Sequence, residues 1–333
     1  MKGSRGCGAP LVLALLIAWP AVAAAAEPVT TFSIVARDPA TGDLGIAVQS
    51  KFFAVGAVVP WARAGVGAVA TQSFANTTFG PRGLELLARG LAPATVLDSL
   101  LAPDADRDQR QIGIVDASGR AAAATGPKCQ VWAGHRSGPD YAVQGNILAG
   151  EPVVLAMEKA FREAQGHLGG RLLAALDAGQ AAGGDSRGQQ SAALLIVRAQ
   201  GGYGGFNDRY CDLRVDDHAT PITELRRLYA MWLPNALILE GYNLVEEKRY
   251  DDAVARGAQA IALDPESGEG YYHSACYLAR AGRSADALAR LAEAVARDPA
   301  LAPRAAGDPD FESLRGSARF KELTAGMSPG APR

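Results

Sequence analysis

The sequence predicts a layered α+β domain followed by a smaller all-helical one, and three observations carry that prediction. Up to about Tyr229, runs of strand pattern alternate with runs of helix pattern, and hairpins replace strict strand–helix–strand units, which argues for packed layers. From Met231 onward the pattern is almost wholly helical. Within that part Gly241, Tyr250, Ala253, Ala260 and Asp264-Pro265 are followed 34 positions later by Ala275, Ser284, Ala287, Ala294 and Asp298-Pro299. A chain of 333 residues is long enough for one large domain and one small one.

The first strands come from Thr31 to Gln72. Phe32, Ile34 and Ala36 alternate with Thr31, Ser33, Val35 and Arg37, the period of a strand. Asp38-Pro39-Ala40-Thr41-Gly42-Asp43 supplies the fixed φ, the positive-φ position and the side-chain acceptors of a tight reversal, and a second strand runs through Leu44, Ile46 and Val48. Short apolar runs broken by Gly56, Gly65 and Gly67 then read as buried sheet. Ser50, Lys51, Arg63, Thr71 and Gln72 stand out there, either as strand ends facing water or as polar groups kept for a reason.

Helical periods follow at Pro81 to Arg89 and Pro93 to Leu101. Gln111 to Val115 and Ala121 to Ala124 flank Asp116-Ala117-Ser118-Gly119 as a hairpin. The irregular passage after it offers Trp132, His135, Gln144 and Asn146 as a pocket wall. Helices over Pro152 to Gln165 and Leu168 to Gln180 lead through the glycine-rich AGGDSRGQQ to an apolar strand at Ser191 to Arg198. That loop lacks the Lys and the strand–loop–helix order of a nucleotide-binding loop. The string GGYGGFNDRYCDLRVDDHATP reads either as a substrate loop anchored by Asp208 and Arg209, or as a turn into a strand at Leu213 to Val215 with Asp216 to His218 solvated at its end.

Charged residues make up 20% of the chain and the formal net charge is −2, with no Lys/Arg run, so nucleic acid is excluded as a partner class. Lys2 and Arg5, the apolar stretch Leu11 to Trp19 and Ala24-Ala25-Ala26 read as a signal peptide over 1–26, implying a periplasmic or secreted protein without stable membrane insertion. Cys129, Cys211 and Cys276 remain after its removal, without metal spacing, and the four histidines form no ligand set. No metal or cofactor is expected. Calcium-loop spacing is absent too.

The 34-residue offset is the tetratricopeptide period, with Asp-Pro ending the second helix of each pair. The resemblance has departures: Lys248 stands where the second repeat has Gly282, and Leu237 where it has Tyr271. DPDFESLRGSARFKEL, with Phe311, Leu314, Phe320 and Leu323 as its stripe, is expected to cap the two repeats. The predicted units are a layered α+β domain over 27–230, helical repeats with their cap over 231–327 and a frayed tail over 328–333. The repeats serve either as a groove for a protein partner or as an appendage packed on the first domain or on a second copy.

TFSIVARDPATGDLGIAVQSKFFAVGAVVPWARAGVGAVATQ, followed by FGPRGLELL, WAGHRSG, VQGNILAG, AGQAAGGDSRGQQSAALL and GGYGGFNDRYCDLRVDDH, closely resembles the bacterial and archaeal family catalogued as domain of unknown function 1028. The resemblance covers Thr31 to about Tyr229. It implies the four-layer αββα sandwich of the N-terminal nucleophile (Ntn) hydrolases, in which a first-residue Thr, Ser or Cys attacks an amide while its own α-amine acts as base. Peptidoglycan-binding domains at the C-terminus of some members point to cell-wall material. By that resemblance Thr31 is the nucleophile, Lys51 or Arg63 supplies positive charge, and Gln72 or Asn146 is a neutral donor to the oxyanion. Ser50, Gln190 and Ser191 then belong to the substrate edge. Family members commonly begin Met-Thr-Phe-Ser, whereas Glu27-Pro28-Val29-Thr30 precede Thr31 here, so a further cut is needed to expose the amine. Three function classes stay open: an exported amidohydrolase, a non-catalytic binder of a small polar ligand, and an interaction protein acting through its repeats.

Overall fold

The computed structural model describes residues 31–325; the expected signal peptide and the frayed tail lie outside the described residues. β1 (Thr31–Arg37) and β2 (Leu44–Ser50) form the expected hairpin, with Thr31 opposite Ser50 and Arg37 opposite Leu44. Next come β3 (Pro60–Arg63), β4 (Gly67–Ser73), α1 (Phe79–Ala88), α2 (Pro93–Leu101), β5 (Arg110–Asp116) and β6 (Ala121–Thr125). β7 (Gly134–Gly138), β8 (Tyr141–Asn146), α3 (Glu151–Glu163), α4 (Leu168–Ala181), β9 (Ser191–Val197) and β10 (Arg209–Val215) complete the mixed part. The last strand begins four residues before the expected Leu213, and Asp216 to His218 are exposed at its end as expected.

The strands make two antiparallel sheets, ordered β10-β9-β2-β1-β8-β7 and β3-β4-β5-β6. Alternation along β1 sends Phe32, Ile34 and Ala36 to one face, where they pack with Phe161, Leu172 and Leu176 of α3 and α4. The opposite face meets the smaller sheet through Val35, Ile46, Val48, Ala68, Ala70 and Leu195. Beyond it, Val69, Ile112 and Ile114 carry α1 and α2 through Leu84, Leu87, Val96 and Leu100. The layer order is therefore helix, sheet, sheet, helix. Both faces of the inner strands are covered, so β2, β4 and β9 are buried along their whole length, whereas the edge strands β7 and β10 keep exposed residues.

α5 (Pro221–Glu246) runs unbroken through the expected domain boundary at 230/231, with Pro234 inside it. Leu225, Tyr229, Leu233, Leu237 and Ile238 join the core on the larger sheet, whereas Val245 belongs to the core of the helices that follow. One helix thus serves both cores. α6 (Tyr250–Leu263), α7 (Gly268–Arg280) and α8 (Ser284–Arg297) pack in sequence, then α9 (Leu301–Gly307), a 3-10 turn at Pro309–Leu314 and α10 (Ala318–Thr324). The start of α6 at Tyr250, of α8 at Ser284 and of α10 at Ala318 keeps the 34-residue step through one more pair than the sequence pattern marks. Pro309 interrupts the first helix of that third pair, and Asp308 caps the turn by accepting from the Asp310 N–H. Phe311, Leu314 and Phe320 are buried there as expected, with Leu323 against them. At Gly241 a Cβ would lie 2.5 Å from the Tyr277 ring, so only glycine admits that ring, whose hydroxyl donates to the Ile238 carbonyl at 2.6 Å. Among the described residues no helix is long and apolar enough to cross a membrane, and Cys129, Cys211 and Cys276 are thiols.

Lys248 and Gly282 occupy equivalent turns, at φ +60° and +74°. A side chain in the left-handed region strains the backbone, so Lys248→Gly is expected to raise stability by about 0.5–1 kcal/mol, while Gly282→Ala lowers it by about 1 kcal/mol. Urea unfolding of the two variants checks both signs.

Acid is expected to destabilise the fold in two steps. Burial holds the His167 and His135 imidazoles below their ordinary 6.5, and burial with Arg304 beside it does the same to His273. Hydrogen bonds from Arg110 hold Asp104 below 3.8; burial opposes the charged forms of Asp116 and Glu158, but Ser118 and Arg120 lower the first below 3.8 and Tyr141 and Arg136 the second below 4.5. Each native value lies below its unfolded one, so the unfolded chain takes up the proton first. The stability these groups contribute is complete above 6.5 for the histidines and above 4.5 for the carboxyls, and is lost as pH falls through the native values. Thermal melting between pH 7.5 and 3 should show a shallow decline and then a steep one.

Candidate functional site

β1 is one of the two central strands of the larger sheet, and the face it turns toward the smaller sheet is apolar at one end and polar at the other. Thr31 lies directly opposite both Ser50 on β2 and Asn146 on β8, and Ser33 opposite Gln144, so these side chains share the inter-sheet face. Gln72 on β4 pairs with Gln111 on β5, and Gln111 with Thr125 on β6, which brings a matching polar row from the other sheet. Thr31, Ser33, Ser50, Gln72, Gln111 and Gln144 are all fully buried.

The groups join in one network. The Thr31 hydroxyl donates to Ser50 Oγ at 3.2 Å, and the Ser33 hydroxyl donates to Gln72 Oε1 at 2.5 Å. Gln72 Nε2 donates to the Thr31 carbonyl at 3.3 Å and to Gln111 Oε1 at 2.8 Å, tying the sheets together. Asn146 Nδ2 donates to the same Gln111 oxygen at 2.9 Å, and Gln144 Nε2 to Ser33 Oγ at 2.7 Å. Gln111 Nε2 reaches Thr125 Oγ1 and the Gly145 carbonyl, both at 2.8 Å, and the Gly134 carbonyl at 3.1 Å. Thr125 Oγ1 is 2.9 Å from His135 Nδ1 at the edge of the network, where burial favours the neutral imidazole. A Cβ on Gly113 would fall 2.1 Å from Gln144 Oε1, so the missing side chain on β5 is what lets the Gln144 amide lie there.

The expected site residues divide into three groups. Thr31, Ser50, Gln72 and Asn146 converge as described. Lys51 and Ser191 lie at the rim: Lys51 Nζ donates to the Gln189 carbonyl at 3.3 Å, and Ser191 Oγ donates to the Phe52 carbonyl and accepts from the Val55 N–H, pinning the segment after β2. Gln190 turns its amide outward to Asp217 at 3.2 Å. Arg63 does not join the cluster. It pairs with Gly67 at the opposite end of β4, five residues and about 17 Å of strand from Gln72, and donates to the Leu84 carbonyl at 2.7 Å. Both N–H groups of Gln72, expected as a neutral donor, are committed inside the network.

Ser33, Gln111 and Thr125 belong to the cluster without having been singled out from the sequence. Parity with Thr31 along β1 is the signal that identifies Ser33; Gln111 carries the same signal only once its pairing with Gln72 is known. Asp185 also escaped notice. Its buried carboxylate accepts from the Lys51 N–H at 3.0 Å and from Arg187, folding the glycine-rich loop onto the rim.

All members of the buried network are neutral. Such a layer can present a hydroxyl nucleophile and orient an amide, but it has no side-chain general base of its own. Residues Cys276, Asp308 and Asp310 lie together in the helical part, where Tyr272 donates to one Asp308 oxygen at 2.6 Å and Arg280 to one Asp310 oxygen at 3.1 Å.

No curated protein matches this chain. A crystal structure of protein SPO2555 from Silicibacter pomeroyi, described under the family model DUF1028, is similar to it at 34% identity and a TM-score of 0.55, covering 60% of this chain and 84% of that one. The model of the "Family of unknown function (DUF1028)" matches residues 31–225, the part that holds both sheets and the whole Thr31 network. The chain belongs to the DUF1028 family.

Proposed function

We propose that the protein is an exported amidohydrolase of Ntn type, with Thr31 as nucleophile and a peptide-like or cell-wall-derived amide as substrate. The carrying observation is the place of the Thr31 hydroxyl: at the head of β1, buried in the polar layer between two sheets, 3.2 Å from Ser50 Oγ. The helix–sheet–sheet–helix layering supports the αββα sandwich of that class, and the 34-residue step of the later helices supports tetratricopeptide-like repeats that engage substrate or a protein partner. The network supplies no base, so the reading requires a cut before Thr31 that turns its amide nitrogen into an amine, whose ordinary pKa is about 8. Thr31 Oγ then attacks the carbonyl carbon, its proton passes to the amine and on to the leaving nitrogen, and water hydrolyses the resulting ester. Lys51 at the rim provides positive charge for the approaching substrate.

The test is a panel of peptide and muropeptide amides against the mature protein. Hydrolysis that survives in Thr31→Ser at a reduced rate and disappears in Thr31→Ala, with unchanged melting, is the expected outcome. One observation favours a second reading, a non-catalytic binder of a small polar ligand: the donors of Gln72 are engaged internally instead of facing a ligand's developing charge. That reading expects binding without turnover, insensitive to Thr31→Ala.

A further inference from the structure

The donors and acceptors of the buried network do not balance. Asn146 is 1% exposed and directly opposite Thr31, and its Nδ2 is held by Gln111 Oε1, which fixes the plane of the amide. Its Oδ1 accepts no hydrogen bond from any described residue. Gln144 Oε1 is also without a donor, but it lies against the Cα of Gly113, where nothing larger than a hydrogen fits. Asn146 Oδ1 is therefore the acceptor through which the network can receive a donor. Leaving such an oxygen buried and unpaired is unfavourable, so it calls for a group that brings an N–H bond.

We propose that Asn146 is the positioning residue for the α-amine of Thr31, its Oδ1 accepting from that amine once Thr31 is the first residue of the chain. The inference rests on the Ntn reading above. Register carries it: of the side chains on β8, that of Asn146 is directly across from Thr31, and Gln111 and Gln72 link its amide back to the Thr31 carbonyl.

The neutrality of Asn146 has a chemical consequence. A carboxylate at this place would favour the ammonium form and leave the amine protonated, whereas a carbonyl oxygen orients the amine without adding charge, and burial favours the neutral base. Charged and titratable groups around the site all stand outside the network. On the β2 side Lys51 donates to Gln189 O, and from the loop before β9 Asp185 is paired with Arg187. At the head of β5 Arg110 is bound to Asp104 at 2.8 Å. Cys129, from the loop after β6, donates to the Arg110 carbonyl at 3.4 Å, and His135 on β7 lies against Thr125.

The experiment is a 15N titration of the Thr31 amine in protein beginning at Thr31, compared among wild type, Asn146→Asp and Asn146→Leu, with melting recorded for each. Asn146→Asp is nearly isosteric and is expected to move the amine's midpoint upward by about one unit or more, and the acid limb of any pH–rate profile with it. The activity rises as the amine loses its proton, so this variant needs higher pH to reach the same rate. Asn146→Leu is expected to leave the midpoint at or below that of the wild type while lowering kcat more than it raises KM. Midpoints that agree within about 0.3 unit between wild type and a folded Asn146→Asp, far less than an adjacent carboxylate imposes, would overturn the proposal. This readout needs no turnover, so it separates failure of the Asn146 inference from failure of the amidohydrolase reading, which the substrate panel decides.

Discussion

Arg198→Leu is expected to lower the unfolding free energy by about 3–5 kcal/mol, because it leaves a buried carboxylate without its partner. The Arg198 guanidinium forks onto Asp43, with Nε to Oδ1 at 2.7 Å and Nη2 to Oδ2 at 2.6 Å, and the Asp43 side chain is only 2% exposed. Its remaining nitrogen reaches Glu240 on α5 at 2.5 Å, and the plane lies 3.9 Å from the centre of the Tyr210 ring, whose hydroxyl also donates to Glu240. Arg256 on α6 closes the group on Glu240 at 3.1 Å. One side chain thus joins the first hairpin and the end of β9 to the helices of the second core. Arg198→Lys retains the charge but not the fork, and should lose less than the leucine variant. Urea unfolding measures both; a loss below about 1 kcal/mol for Arg198→Leu would show that Asp43 finds water or another partner, as exposed pairs do.

Gln111→Leu is expected to cost about 3 kcal/mol or more by the same logic in a neutral setting. Leucine matches the volume approximately but removes the oxygen that accepts from both Gln72 and Asn146, and the nitrogen that donates to the Gly145 carbonyl. Three groups buried between the sheets then lose a partner at once. The two sheets also lose the bonds that join Gln111 on β5 to Asn146 and Gly145 on β8, while the bond from Gln72 to the Thr31 carbonyl remains. The measurement is melting and urea unfolding beside Gln111→Asn, which keeps the amide at shorter reach and should fall between. A leucine variant as stable as wild type would mean that water enters the layer and satisfies those groups.

Much of the architecture was legible because it is written in local signals. The Asp-Pro-Ala-Thr-Gly-Asp turn, the prolines that open α2, α3 and α5, and the alternation along β1 each specify their own element. What the sequence concealed depends on pairing between distant strands. Ser33 and Gln111 look like the water-facing half of alternating strands, and become interior only because helices cover one face of each sheet and the other sheet covers the second. Arg63 stood out as a lone cation in an apolar stretch, and its strand pairing carries it to the far end of β4. The third helical pair escaped the pattern because Pro309 breaks its first helix, and Lys248 hid a turn whose left-handed backbone only Gly282 advertised. Composition changes near Met231, while along α5 Ile238 still packs in the first core and Val245 packs in the second.

The central claim is that Thr31 acts as an N-terminal nucleophile, and the most direct measurement is the intact mass and N-terminal sequence of the mature protein recovered from exporting cells. A chain that begins at Thr31 is the predicted result, since it places an amine beside the buried hydroxyl and supplies the base that the network lacks. A mature, fully folded chain that begins at Glu27 and still hydrolyses amides, or that binds a ligand without turnover, would contradict the free-threonine mechanism.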